Sequence, residues 1–194
     1  ATVRRRWFGL VLRTALTLTV TGDHVDFGRV GAASLQMVAG QEGIALCGAD
    51  RAAIADTMTN LPAHPDVLPN LRRLQAAGFT MAALTNSPPD AATGQLVNAG
   101  ISPFLDRILT VEPTGRFKPA REVYEMAARE LDVTTAGMLM VAAHDWDIAG
   151  AMRAGCAGAY LMRSGMVRNP LYPEPDIAES TFDRLTDSVI ELER

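Results

Sequence analysis

The sequence predicts an α/β fold, a doubly wound parallel sheet that follows a purely helical segment. Three observations predict it. Residues 1–62 carry helical periodicity alone, whereas from Pro62 onward apolar runs of strand length alternate with helical stretches. Those runs are almost continuously apolar, as strands covered on both faces must be. Strands alternating with helices imply right-handed crossovers and helices on both sides of the sheet.

Composition supports one globular unit. Of the 194 residues, 48% are hydrophobic and 21% charged. A chain of this length buries roughly 70% of its unfolded surface, so it needs no metal or disulfide to fold. At ~150 residues per domain, it is one large domain or a domain with an insertion. A formal charge of −4 leaves no excess of basic residues to grip a duplex, so nucleic acid is not expected as a ligand. The two cysteines, Cys47 and Cys156, form no CxxC pair, which argues against a zinc site or a disulfide framework and for a reducing compartment.

The elements follow in order. Arg4-Arg5-Arg6 before an apolar run resembles a secretion signal, but Arg13 interrupts the run. Trp7, Leu10, Val11, Ala15 and Leu18 instead make one apolar stripe of an amphipathic helix ending at Gly22. No run reaches the ~18 apolar residues of a membrane span. Asp26 is placed to cap a second helix with Val30, Ala33, Met37 and Val38 inward, and Asp50 a third running toward Asn60. Asp66 is placed to cap a fourth, with Leu68, Leu71 and Leu74 on one face and Gly78 as its stop. Strands are expected at Phe79–Leu84, Arg107–Val111, Gly137–Ala143 and Gly158–Leu161. Helices are expected at Pro89–Ala99, Ala120–Leu131, Trp146–Ala154 and Phe182–Leu192.

In parallel α/β sheets, ligands sit at the carboxyl ends of strands, so the residues just after each strand carry the chemistry. Thr85-Asn86-Ser87 offers a hydroxyl, an amide and a helix N-terminus, which suit an anion or an ordinary N-cap. Lys118-Pro119 puts a cation before a helix, where it serves no capping purpose; a lone surface lysine is the plainer reading. His144-Asp145-Trp146-Asp147 crowds an imidazole, an indole and two carboxylates into four positions, or is a capped helix start with Trp146 as core.

Together these clusters resemble the haloacid dehalogenase superfamily, and most closely its 2-haloacid dehalogenase branch. The matching segments are Leu84-Thr85-Asn86-Ser87, Phe117-Lys118-Pro119 with Tyr124 six residues beyond the lysine, and Val141-Ala142-Ala143-His144-Asp145-Trp146-Asp147. The resemblance implies a helical cap over residues 1–62, an α/β core over residues 63–194, and a cytoplasmic homodimer. It implies a short 2-haloacid as substrate, hydrolysed without metal or other cofactor through an aspartyl ester. Lys118 would keep the nucleophile ionised and oriented, and Asp147 would anchor Lys118 and help position the hydrolytic water. Thr85 would hold the substrate carboxylate and Asn86 would meet the departing halide. Among the substrate-site residues, Phe27 and Trp146 would line an apolar pocket for the halogen-bearing carbon, Tyr124 would hydrogen-bond within the polar set, and His144 would be a general base or a polar spacer; Phe27 also reads as cap core and Tyr124 as a core tyrosine.

One departure is plain. The superfamily's nucleophile is an aspartate on a first strand preceding the cap, and no such motif occurs in residues 1–62. The expectation is that it lies in a segment ahead of residue 1. A second departure bears on metal. Magnesium phosphatases of the superfamily carry a carboxylate four residues before the aspartate matched here by Asp147, and this chain has Ala143 there. Two alternatives stand beside the dehalogenase: a Mg²⁺-dependent phosphatase, with Asp145 displaced into the ligand role, and a non-catalytic signalling module such as a receiver domain, which also has a hydroxyl and a Lys-Pro on successive strand ends.

Overall fold

The computed structural model describes residues 2–192. Three helices come first: α1 (Thr2–Thr21), α2 (Phe27–Gln41) and α3 (Gly48–Thr59). Then follow α4 (Val67–Ala76), β1 (Ala82–Thr85), α5 (Pro89–Asn98), β2 (Arg107–Thr110) and α6 (Arg121–Glu130). The chain continues through β3 (Leu139–Ala142), α7 (Asp145–Ala154), β4 (Ala157–Leu161), β5 (Ile177–Glu179) and α8 (Phe182–Leu192). No helix among the described residues is long and apolar enough to cross a membrane.

Every strand pair is parallel. Ala82 pairs with Arg107 and Thr85 with Thr110, while β4 lies between β3 and β5. Among the described residues the expected single sheet is bonded as two, β1-β2 and β3-β4-β5, with no backbone hydrogen bonds between β1 and β3. The short β5 follows a stretch with Pro170, Pro173 and Pro175, and three residues are too few for an apolar period to show in sequence.

Several local expectations are corrected. The first strand starts at Ala82 rather than Phe79. Phe79 N–H is spent on Leu74 O, closing α4, and Met81 exchanges bonds with Asp106 through its N–H and its carbonyl. On α2 the buried row is Val30, Ser34 and Val38 with Ala39, whereas Ala33 and Met37 face solvent. Asp50 does not cap α3: Cys47 is the N-cap, and Asp50 three residues on accepts its N–H at 2.9 Å, the reciprocal arm of a capping box. Asp66 occupies the N-cap position of α4 but makes no side-chain cap bond. Its carboxylate instead takes both arms of Arg163, at 2.9 and 3.0 Å.

Packing ties the first helices to the loop that precedes Lys118. Val11, Ala15 and Val30 share a cluster with Val111, Phe117 and Val123. Each buried valine or phenylalanine of this cluster contributes roughly 1.5–3 kcal/mol. Thr19 adds two polar links, its hydroxyl accepting from Phe117 N–H at 3.1 Å and its carbonyl from Arg116 at 2.7 Å. A second cluster, with Leu74, Ala159, Leu185 and Val189, joins α4 and α8 to the three-stranded sheet. The third puts Tyr124, Ala151, Ala154 and Cys156 beneath Leu84 of β1 and Met140 of β3.

Candidate active site

The site forms where the ends of β1 and β3 meet the loop after β2. Lys118 is the only lysine in the chain, one of 18 lysines and arginines. Its side chain is buried, and Nζ donates to Asp147 Oδ2 at 2.7 Å and to Leu84 O at 2.8 Å. The ammonium therefore links β1 to the first turn of α7. A buried cation requires such partners, since desolvation of an unpaired ammonium costs several kcal/mol.

Tyr124 completes the triad. Its hydroxyl donates toward Asp147, with Oδ1 at 2.7 Å and the Asp147 carbonyl at 3.1 Å. The side chain is fully buried, and burial followed by the Asp147 charge pushes the phenol far above its ordinary value. It stays protonated and acts as a donor. Asp147 thus has one oxygen held by Lys118 and the other by Tyr124.

Asn86 is buried beside them, and its Oδ1 accepts from Lys118 N–H at 2.9 Å. That bond orients the amide, so the NH2 group is the end left to donate. Thr85 is adjacent in sequence but its side chain lies on the opposite face of β1 from Leu84. Its hydroxyl accepts from Ser87 N–H at 3.1 Å, and it lines an apolar cavity of about 320 Å³ with Ala83, Leu96 and Met58. Lys118, Asp147, Tyr124 and Asn86 come together; the Thr85 hydroxyl serves its own turn.

His144, the N-cap residue of α7, is half-buried between two aromatic rings. Phe8 of α1 lies 5.4 Å away between ring centroids and Trp146 lies 5.6 Å away. Burial is the largest influence on the imidazole and holds its pKa below the ordinary value, opposed by the carboxylates of Asp147 and Asp145. The buried Trp146 indole N–H has no partner among the described residues. Phe27 packs on Phe117 at 5.5 Å, and His24 stacks on the same ring at 5.2 Å while pairing with Glu112 at 3.3 Å.

Asp145 is committed elsewhere. Its two oxygens accept the backbone N–H groups of Trp146 and Asn169, both at 2.9 Å. With Ala143 beside it, the strand end offers Asp147 alone as a free-standing acid, and that acid already holds Lys118. Among the described residues no three His, Cys, Asp or Glu side chains are grouped to hold a metal ion.

Sequence reasoning missed Phe8 and the Leu84 carbonyl. Phe8 lies off the buried stripe of α1, and an aromatic on the outer face of a helix was its only signal. A backbone acceptor leaves no trace in residue type.

Comparison with known proteins agrees with this architecture. A family model described as a haloacid dehalogenase-like hydrolase matches residues 14–155. An (S)-2-haloacid dehalogenase of Pseudomonas sp. (strain YL) is 28% identical over 153 residues, covering 79% of this chain and 66% of that protein. An (S)-2-haloacid dehalogenase 1 of Pseudomonas sp. (strain CBS-3) is 29% identical over 164 residues, 84% of this chain and 71% of that one. Among solved structures, the L-2-haloacid dehalogenase of Xanthobacter autotrophicus with chloropropionic acid covalently bound superimposes with a TM-score of 0.89 at 24% identity, covering 97% of this chain and 85% of that one.

Proposed function

The chain belongs to the haloacid dehalogenase-like hydrolase family, and we propose that it hydrolyses the carbon–halogen bond of a short (S)-2-haloalkanoic acid without a metal ion. The observation that carries this reading is the buried Lys118–Asp147–Tyr124 triad, with Ala143 where a magnesium-dependent relative needs a carboxylate. A fixed ammonium supplies the positive charge that a metal would otherwise bring to an attacking carboxylate. The (S)-2-haloacid dehalogenases of the two Pseudomonas strains support the substrate class.

In this reading the helices of residues 1–62 are the cap and residues 63–194 the core. The reading requires an aspartate nucleophile facing Lys118 Nζ between the carboxyl ends of β1 and β3. Two observations support that place: the facing strands are not bonded to each other, and Lys118 reaches both sides of the interval. The carboxylate oxygen attacks C2, the C–X electron pair leaves with the halide, and the carbon inverts. Water then attacks the ester carbonyl, releasing the 2-hydroxy acid and restoring the carboxylate. Lys118 orients the nucleophile, and Asp147 with Tyr124 holds Lys118. The Asn86 NH2 meets the halide, and the N-terminal end of α5 after Thr85 receives the substrate carboxylate. Phe27 and Trp146 exclude water. His144, neutral at pH 7, accepts the proton of the attacking water. We take the protein to be a cytoplasmic homodimer; Leu16, Val20 and Met37, exposed on α1 and α2, support a second copy there.

The test is halide release from (S)- and (R)-2-chloropropionate by the product of the complete reading frame, with and without EDTA. Phosphate release from p-nitrophenyl phosphate with millimolar Mg²⁺ is measured beside it. Equal halide release from the (S) acid in both conditions is expected. A single turnover in H₂¹⁸O places the label in the nucleophilic aspartate. Mg²⁺-dependent phosphate release without halide release would overturn the reading in favour of a phosphatase, and neither activity would favour a non-catalytic module.

A further inference from the structure

We propose that Gly150 is a positioning residue: its missing side chain lets α7 approach the Lys118-Pro119 loop closely enough to lock the Lys118–Asp147–Tyr124 triad. The inference rests on the catalytic reading of that triad. A Cβ at position 150 would stand 2.3 Å from Pro119 Cβ, 2.8 Å from Pro119 O and 2.8 Å from Tyr124 Oη. Real Cβ atoms essentially never come within 3.0 Å of another heavy atom. Two of the obstructed atoms belong to the residue next to Lys118, and the third is the hydroxyl that holds Asp147.

No other demand explains a glycine here. Gly150 lies inside α7 and is not among the residues with positive φ, so the backbone conformation admits any L-residue. Glycine is disfavoured in a helix interior, and its neighbours Ala149 and Ala151 show what the buried helix otherwise prefers. The close approach is therefore the requirement. Gly150 stands three residues after Asp147, on the neighbouring turn of the same face. A methyl group at 150 would push Pro119 and Tyr124 outward, and Lys118 would move with Pro119.

The experiment uses the single lysine. In Gly150→Ala and the parent, the rate of Lys118 acetylation by an amine reagent is followed by peptide mass spectrometry under conditions where both proteins are folded by circular dichroism. At least a tenfold faster acetylation is expected in the variant, together with a fall in kcat and little change in KM. Gly158→Ala is the control. Its Cβ, on β4, would meet the side-chain atoms Ile148 Cγ2 and Met152 Sδ at 2.9 Å, a milder clash that presses on α7 away from the Pro119 contact. That variant loses stability yet leaves Lys118 protected. Acetylation of Gly150→Ala within twofold of the parent, or equal exposure in both glycine variants, would overturn the proposal. Should Gly150→Ala fail to fold, Gly150→Ala/Pro119→Gly removes the nearest obstructed atom. Because Pro119 O and Tyr124 Oη remain 2.8 Å from the added methyl, the double variant is read by acetylation: Lys118 modified at least tenfold faster than in Pro119→Gly supports the proposal, and Lys118 as protected as in Pro119→Gly overturns it. Acetylation does not depend on the reaction catalysed. A faster rate in a protein that releases no halide would therefore uphold the positioning role while the dehalogenase reading fails.

Discussion

Lys118 Nζ and Asp147 Oδ2 meet at 2.7 Å with side chains only 9% and 6% exposed. A pair this deeply desolvated is strongly asymmetric to mutation. Removing one partner leaves an uncompensated buried charge, at about 3–5 kcal/mol, whereas replacing both with neutral groups of similar size costs far less. Lys118→Met should therefore lose turnover and also unfold at markedly lower urea. Lys118→Met/Asp147→Asn should recover most of the stability and none of the activity. Four unfolding curves check this, and a Lys118→Met variant within about 1 kcal/mol of the parent would contradict the buried-pair account.

Tyr124→Phe isolates the second support of Asp147. The variant keeps the ring in the apolar cluster of Ala151, Ala154 and Cys156 and removes only the donor to Oδ1. A hydrogen bond to a charged group contributes about 1.5–3 kcal/mol. If that energy orients Lys118 in the transition state, kcat drops at least about tenfold, since 1.4 kcal/mol is one decade in rate. KM should stay close to the parent value. A variant with raised KM and unchanged kcat would place Tyr124 in substrate binding instead.

The contrast between elements shows what sequence can carry. Helices α5 to α8 were legible to within a residue or two because Gly, Pro and helical periodicity mark their ends. The register of α2 was less so: Ala33 and Met37 suit either face, and Ser34 is buried against expectation. Asp66 reads as a cap by residue type, but the partner that claims it, Arg163, lies 97 residues away. Lys118, Asn86 and Asp147 were legible as a group because parallel-sheet topology gathers strand ends. That topology says nothing of side-chain direction, so the turn of the Thr85 hydroxyl toward Ser87 was not legible. Nor was the burial that makes a Lys118 variant costly to fold.

The Asp66–Arg163 clamp gives a pH prediction. Hydrogen bonding to Arg163 is the largest influence on Asp66 and holds its carboxyl below the ordinary 3.8. A depressed acid stabilises the fold above its unfolded pKa, and that stability is lost as pH falls through the folded value. Urea midpoints should therefore decline below about pH 4. Arg163→Met should lower the midpoint at neutral pH and flatten part of this acid decline. Parallel curves for the two proteins would show that Asp66 does not contribute to it.

His144 gives a second window of the same sign at higher pH, on two readouts. Burial lowers its folded pKa beneath the ordinary 6.5. Between those two values the unfolded chain binds a proton that the native chain does not, so stability falls as pH drops through the window and levels off below the folded pKa. The groups around the ring are Asp147, Asp145 and Lys118, with Phe8 and Trp146 against its faces. His144→Asn keeps a polar group at the N-cap but cannot titrate, so its unfolding curve should lack that slope between pH 7 and the folded value. The same change tests the chemistry. If neutral His144 takes the proton of the hydrolytic water, the parent's kcat declines on the acid side with an apparent pKa below 6.5, and the limb disappears in His144→Asn along with a large part of the rate. An acid limb that survives the substitution unchanged would assign it to another group and leave His144 as the ring that Phe8 and Trp146 pack against.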